Sequence, residues 1–368
     1  MCQVHLPWFA LLESNTTGSG RQFCAAVRVR GMRPVVLAAD PARYPYLAQD
    51  DVDVLILDTS DTAAVRTACR MLADDGLRGI TSSSEYFAVG AAVAASELGL
   101  PAPDAAAVTR CRQKDQQRAA LASAGVPGPA FRVVTNGADA VSAAEQIGWP
   151  VVIKPIAGSG SAGVRRCGDP DETQGWVCDL HQRGENRVLV EGYLDGPEFS
   201  VEVFDGAVVG VVAKHLGPAP YFVEIGHDFP APLDEPDRCA LERAAVRAVR
   251  ALGLSWGAAH VELRMTTGGG TVLGASGAAA ARALPLVSYA VLTVTPGDTV
   301  EITHSFRDRL GYVIATGESS SAAASRAAEA LSQFTVTMSA PRSLLPVTCN
   351  GIVRNSEREP PQGTSDPS

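Results

Sequence analysis

The run FSVEVF-DG-AVVGVVAK, residues 199–214, constrains the fold of this chain more than any other stretch. Two alternating apolar runs flank Asp205 and Gly206. An Asp-Gly pair in that setting predicts a two-residue type I′ hairpin, because both central positions need positive φ. A second hairpin with a looser Gly-rich turn is predicted for GAAHVELRMTTGGGTVLGAS, residues 257–276, and PVVIKP at 150–155 reads as a short buried strand. EPDRCALERAAVRAVRALGL, between the hairpins, carries helical periodicity and a Gly stop. From residue 150 onward the pattern is therefore antiparallel sheet packed with helices, an α+β layout.

The first hundred residues follow another rule. FALLESNTTGSGRQFCAAVRVRGMRPVVLAAD, residues 9–40, alternates strand, helix and strand, and DVDVLILDT adds a further buried strand. AVRTACRML and EYFAVGAAVAASELG read as helices, so this part is expected to be a small open parallel α/β sheet. TGSG at 17–20 opens the first helix and either receives an anion or makes a tight turn. The Pro-rich LPAPD at 100–104 marks a boundary. Beyond it, AAVTRCRQKDQQRAALASAGVPGPAF predicts one basic amphipathic helix stopped by Gly125 and Pro127. SSSAAASRAAEALSQF at 319–334 predicts another helix, and the polar, Pro-rich end cannot bury enough surface to fold. The expected organisation is an N-terminal domain over 1–104, a second domain over 105–345 with subdomains 105–188 and 189–345, and a tail over 346–368.

Composition excludes several classes. With 46% hydrophobic and 19% charged residues the chain is globular, and 368 residues suffice for two or three packed units. No apolar run reaches the ~20 residues that span a bilayer. His5, Pro7 and Trp8 interrupt any signal-peptide pattern, which leads to the expectation of a cytoplasmic, non-membrane protein. The net charge of -9 argues against nucleic acid as a partner, since a phosphate backbone calls for a basic face. Eight cysteines without a C-x-x-C pair read as isolated thiols.

GSGSAG at 158–163 matches G-x-G-x-x-G, but its context fits neither a dinucleotide fold nor a kinase: a strand follows the loop, and Lys154 precedes it. What remains is a strand lysine running into a Gly/Ser hairpin, so that a cation and backbone N–H groups converge on phosphates. Such a loop can close over a ligand, while an ordinary mobile hairpin tip has the same composition. In LVEGYLDGPEFSVEVF, residues 189–204, Glu191 sits where a strand leaves for a linker, and Glu198, Ser200 and Glu202 share one strand face. That polar face lines a cleft or faces solvent.

Six segments in order, RCRQK, PVVIKPIAGSGSAGV, LVEGYLDGPEFSVEVF, HLGPAPYFVEIGHDFPAPL, WGAAHVELR and SFRDRLGYVIATGE, resemble the ATP-grasp family of carboxylate-amine ligases across about 105–340. The preceding α/β region resembles the small domain that accompanies such units in biotin carboxylase and D-alanine-D-alanine ligases. The resemblance implies that Lys114 and Lys154 contact the phosphates of ATP, and that Gly158, Ser159, Gly160, Ser161 and Gly163 form the covering loop. It further implies that the backbone of Glu191, Gly192, Tyr193 and Leu194 grips the adenine, with Glu198 near the ribose. Glu224 and His227, by the same resemblance, face the substrate cleft; His227 either binds substrate or is structural.

The family's metal site takes a Glu from one strand and a Glu-x-Asn-x-Arg pattern from the next. Glu262 fits the first, and His260, a further candidate for the substrate site, lies on the same strand face. Gly274, Ser276 and Ala278 stand where the second Glu, the Asn and the Arg belong, so the Mg2+ site is expected to be weakened. Arg282 either substitutes for the missing Arg or is a solvated helix residue. LPLVSYAVLTVTPGD joins the hairpin to the next segment by a shorter path than usual, implying an excised lid. The implied activity is ATP-dependent joining of a small carboxylate, such as an amino acid, to an amine through an acyl phosphate, with oligomers possible. The alternative is a protein that binds nucleotide or a partner without efficient turnover.

Overall fold

The computed structural model describes residues 6–15, 19–254, 256–276, 289–292, 302–305 and 308–332. The N-terminal part runs β1 (Trp8–Leu12), α1 (Ser19–Val29), β2 (Arg33–Ala38), α2 (Tyr46–Gln49), β3 (Asp53–Ile56), α3 (Thr62–Asp74), β4 (Gly79–Thr81) and α4 (Ala88–Glu97). Its sheet has the order β3-β2-β1-β4 and is parallel throughout. Both faces are covered, one core holding Leu12, Leu37, Val65 and Ala95 and the other Leu11, Val36, Tyr44 and Leu47. The near-continuous apolar strands of the sequence have this cause.

The predicted helix beyond residue 104 is two helices, α5 (Ala105–Arg112) and α6 (Lys114–Ser123). Gln113 between them is extended at φ -109°, ψ 101°, and the Lys114 N–H donates to the Ile156 carbonyl at 2.9 Å. A donor bound to another segment cannot serve a continuous helix, so the chain turns there. Gly125 follows α6 at φ +63°, in the left-handed conformation expected of a C-terminal stop.

Next come β5 (Phe131–Val134), α7 (Gly137–Ile147), β6 (Val151–Pro155), β7 (Arg165–Cys167), α8 (Pro170–Gln182) and β8 (Val188–Gly192). Their sheet has the order β5-β8-β6-β7 and is antiparallel. Val151, Ile153, Val188 and Val190 pack on Ala140, Ala144, Trp176 and Leu180 of α7 and α8. That packing turns Lys154 and Glu191 to the opposite face.

The last large sheet, β11-β10-β9-β12-β13, contains both predicted hairpins. Its elements are β9 (Glu198–Phe204), β10 (Ala207–Leu216), β11 (Glu224–Asp228), α9 (Glu235–Leu252), β12 (Ala258–Thr266) and β13 (Gly269–Ser276). Asp205 and Gly206 have φ of 48° and 78°, as a type I′ turn requires. Phe199, Val201, Val203, Val261 and Leu263 form the apolar face against Leu241, Ala245, Ala248 and Leu252 of α9. The opposite face is left to polar residues. Beyond it, β14 (Tyr289–Leu292) pairs with β15 (Gly311–Ile314), and α10 (Ser320–Ser332) follows.

No described helix is long and apolar enough to cross a membrane. Residues 333–368, and with them the expected tail, lie outside the described residues, as does most of the short connection after Ser276.

Candidate functional site

Two polar sheet faces, one carrying Lys154 and Glu191 and the other Glu198, Lys214, Glu262 and Arg264, enclose a cleft. A cavity of about 1010 Å3 is lined by Arg166 from β7, Tyr193, Glu198, Lys214, Phe222 and Arg264. Tyr193 and Phe222 stack at 6.3 Å, and the Arg264 guanidinium lies 5.4 Å from each ring. One wall of the cavity is thus flat and apolar with a cation beside it.

Lys154 and Lys114 stand where the phosphate loop begins. The Lys114 Nζ donates to the Gly158 carbonyl at 2.8 Å, and burial together with the charges of Lys154 and Arg112 lowers its pKa to about 8. The Lys154 Nζ is 2.5 Å from Glu191 Oε2, and burial lowers its pKa despite that carboxylate. The loop itself has Gly158, Gly160, Ser161 and Gly163 at positive φ, and Ser161 Oγ donates to the Phe222 carbonyl at 2.5 Å. At Gly163 a Cβ would lie 2.8 Å from the Pro155 ring, so the return of the loop to β7 leaves room only for glycine. Ser159 Oγ lies 3.1 Å from the Tyr86 hydroxyl, which ties the loop tip to the turn between β4 and α4.

Glu191 is buried on the central strand β8, paired by both Arg118 and Lys154. Burial alone would raise its pKa, but the two cations outweigh it and hold the carboxyl at about 2. Arg118 also donates to the Val272 carbonyl at 3.0 Å and to the Leu273 carbonyl, so one α6 side chain joins both sheets. The Gly192 and Tyr193 N–H groups already donate to the Ala130 and Pro150 carbonyls at 2.9 and 3.1 Å. These two donors are therefore already engaged within the protein. The Leu194 carbonyl accepts from Arg264 Nη1 at 2.7 Å.

Glu198 pairs with Lys214 at 2.8 Å and with Arg264 at 3.2 Å. Lys214 also meets Glu224 Oε1 at 2.6 Å and Glu262 Oε1 at 2.7 Å. Glu224 additionally meets His227 at 3.4 Å and Arg309 at 3.3 Å. Burial raises the Glu224 pKa, while His227 and Lys214 together bring it down to about 2. His260 lies 2.8 Å from Glu202 and 3.8 Å from Glu262, and these carboxylates overcome burial to raise its pKa to about 10. Glu262 sits against burial too, yet Lys214 and His260 keep its pKa well below the usual range.

For the expected metal site, the β12–β13 register sets Gly274 opposite Glu262 and Ser276 opposite His260. A Cβ on Gly274 would lie 3.4 Å from Glu262 Oε2. Among the described residues Glu262 therefore has no carboxylate facing it from β13, and its Oε2 side is the one a Mg2+ would meet there. Ala278 and Arg282 lie outside the described residues, as do Thr17 and Gly18 of the first Gly/Ser turn. Within that turn the Gly20 N–H donates to Asn15 Oδ1 at 3.2 Å, so this donor serves the tight turn.

Lys214, Arg118 and Arg264 were not among the residues expected from sequence. Arg264 continues the His260–Glu262 alternation, a signal that period-two reading detects. Lys214 gives a different signal, a charge at the end of an apolar strand.

Comparison with known proteins follows the same line. Residues 147–274 match the family described as ATP-grasp domain, and residues 264–339 match L-amino acid ligase C-terminal domain 2. An uncharacterized protein y4rH of Sinorhizobium fredii is 37% identical over 269 residues, which are 72% of this chain and 56% of that protein. Alanine–anticapsin ligase of Bacillus subtilis is 26% identical over 215 residues, covering 52% of this chain and 46% of the ligase. The chain thus spans about half the length of these curated relatives. Among solved structures, L-amino acid ligase from Bacillus licheniformis superposes with a TM-score of 0.62 at 26% identity, covering 75% of this chain and 68% of that one. The biotin carboxylase domain of Hydrogenobacter thermophilus 2-oxoglutarate carboxylase gives 0.61 at 17% identity over 75% of this chain and 65% of that one, a likeness of fold.

Proposed function

Since this chain belongs to the ATP-grasp superfamily and has its fold, we propose that it is an ATP-dependent ligase joining a small carboxylate, an amino acid or a related metabolite, to an amine. The observation that carries this reading is the convergence of Lys114, Lys154 and the Gly158–Gly163 loop, with Tyr193 of the cavity wall two residues beyond Glu191, the partner of Lys154. Two ammonium groups and loop N–H groups neutralise a triphosphate, and an aromatic wall accepts a purine.

The substrate carboxylate oxygen attacks the γ-phosphorus, the bond to the β-phosphate oxygen breaks, and ADP leaves. The amine then attacks the acyl carbon, loses a proton, and inorganic phosphate leaves with its electron pair. Lys154 and Lys114 hold the phosphates in line, and the loop excludes water that would hydrolyse the acyl phosphate. Glu224 and His227 face the carboxylate or amino group of the substrate, and Glu198 faces the ribose. Glu262 would hold one Mg2+ brought with the nucleotide, and that ion would supply charge neutralisation on the phosphates. With a single protein carboxylate, this is the weakened site the hairpin sequence implies. Domains over 1–104 and 105–345, with a tail beyond, and a cytoplasmic location complete the proposal.

The test is ADP release on a matrix of amino acids and amines with the full chain. A pair-dependent release with a coupled product is expected. ATP bound with no release for any pair would instead support the nucleotide-binding alternative. A preparation that binds no ATP overturns both.

A further inference from the structure

The centre of the cleft holds a cage built for a cation, and a lysine occupies it. Carboxylate oxygens of Glu198, Glu224 and Glu262, from β9, β11 and β12, lie within 4.8 Å of one another. The Lys214 Nζ stands 2.8, 2.6 and 2.7 Å from Oε1 of these three. Three ammonium hydrogens meet three acceptors, the complement a compact point charge can satisfy and a planar guanidinium cannot. The side chain is 2% exposed, so the charge is resident and not a passing surface contact. Across the hairpin, Gly274 and Ser276 stand opposite Glu262 and His260, where no further carboxylate supports a divalent ion.

The geometry points to Lys214 as a built-in cation of the cleft: it fills the carboxylate cage in place of a protein-held second divalent ion and fixes the positions of Glu198, Glu224 and Glu262. Lys214 is a positioning residue. It reaches the nucleotide and substrate through the three carboxylates, and it leaves the Oε2 side of Glu262 to the ion that ATP brings. A single positive charge neutralises the cage less than a divalent ion does, but it needs no ion from solution and keeps the carboxylates in place before nucleotide arrives. The consequence for turnover rests on the nucleotide reading above. The cage and its occupant do not, and the experiment below uses no nucleotide.

Mn2+ binding to the nucleotide-free full chain, followed by loss of the free-ion electron paramagnetic resonance signal, is the test. Wild type and Lys214→Arg are expected to show only loose binding. Lys214→Met, which removes the charge and keeps the length, is expected to bind Mn2+ at least about tenfold more tightly, since three carboxylates then face one another without the cation they share. Adding Glu262→Gln to that variant is expected to abolish the gain, which assigns it to the cage. A folded Lys214→Met protein with no gain would overturn the inference, and so would a gain that survives Glu262→Gln. Should Lys214→Met fail to fold, the wild-type titration decides alone: Mn2+ held tightly without nucleotide, and lost on Glu262→Gln, overturns the inference, while loose binding unaffected by Glu262→Gln upholds it. ADP release plays no part in these outcomes, so failure here and failure of the ligase reading are separable.

Discussion

Glu191 is a carboxylate that burial opposes and two cations rescue. Its pKa of about 2 lies below the ordinary 4.5, so its contribution to stability is complete above pH 4.5 and is lost as pH falls toward 2. The urea midpoint of the wild type is therefore expected to drop more steeply between pH 4.5 and 2 than that of Glu191→Gln, which has no carboxylate to titrate there. Parallel pH profiles would contradict the pairing. Lys154 has a second task beside this pair. Lys154→Met is expected to weaken ATP binding by at least about tenfold, the usual range for losing one charge-assisted hydrogen bond to a phosphate, measured by calorimetry. An unchanged affinity would place the phosphates elsewhere. Both residues were legible in the sequence as a strand lysine before a Gly loop and an acid at a strand end. That they bond each other was not, because β6 and β8 are joined by 32 residues and only their pairing brings the two side chains together.

At the scale of elements, two bulges decide which residues enter the cleft. The Asp205-Gly206 turn sets β9 against β10 in one register near Val208, and the register shifts by one between Val208 and Gly210. Lys214 then falls opposite Glu198; without the extra residue Ala213 would, and the lysine would point into the core beside α9. A similar shift between Glu262 and Leu263 sets Gly274 opposite Glu262. Hairpins can be read from turn residues, whereas a bulge leaves little trace in composition, and this is why Lys214 escaped the sequence reading. The break between α5 and α6 escaped for a related reason, since the partner of the Lys114 N–H is a carbonyl 42 residues away. Two glycines give the elements a direct test. Gly206 has φ +78° and no neighbour within 4 Å of a Cβ, so Gly206→Ala is expected to cost about 1 kcal/mol through backbone strain alone. At Gly196, φ is +126° and a Cβ would lie 2.0 Å from the Met265 carbonyl oxygen, between β8 and β9 where the two sheets connect. Gly196→Ala is expected to cost several times more, on the order of 3 kcal/mol, by urea unfolding. Equal costs would mean that the close approach to β12 is not present in solution.

For the whole molecule, the order of segments made the architecture legible: parallel strand-helix alternation first, hairpins with intervening helices later. The cleft was legible only as a polar strand face, because its second wall comes from a different sheet. Arg118 is the clearest tie between the two walls, reaching Glu191 on one and the Val272 and Leu273 carbonyls on the other. Arg118→Met is expected to destabilise the protein by about 3–5 kcal/mol, as loss of one partner from a buried pair does, and to weaken ATP binding through loss of alignment between the walls. A stability change below about 1 kcal/mol would show that the sheets are held without it. The proposed reaction passes through an acyl phosphate. Its most direct test is incubation of the full chain with ATP, an accepting amine and a carboxylate substrate labelled with 18O in both oxygens, followed by mass spectrometry of the inorganic phosphate. Transfer of one labelled oxygen into phosphate for each product formed is the predicted result. Product with unlabelled phosphate would contradict the account.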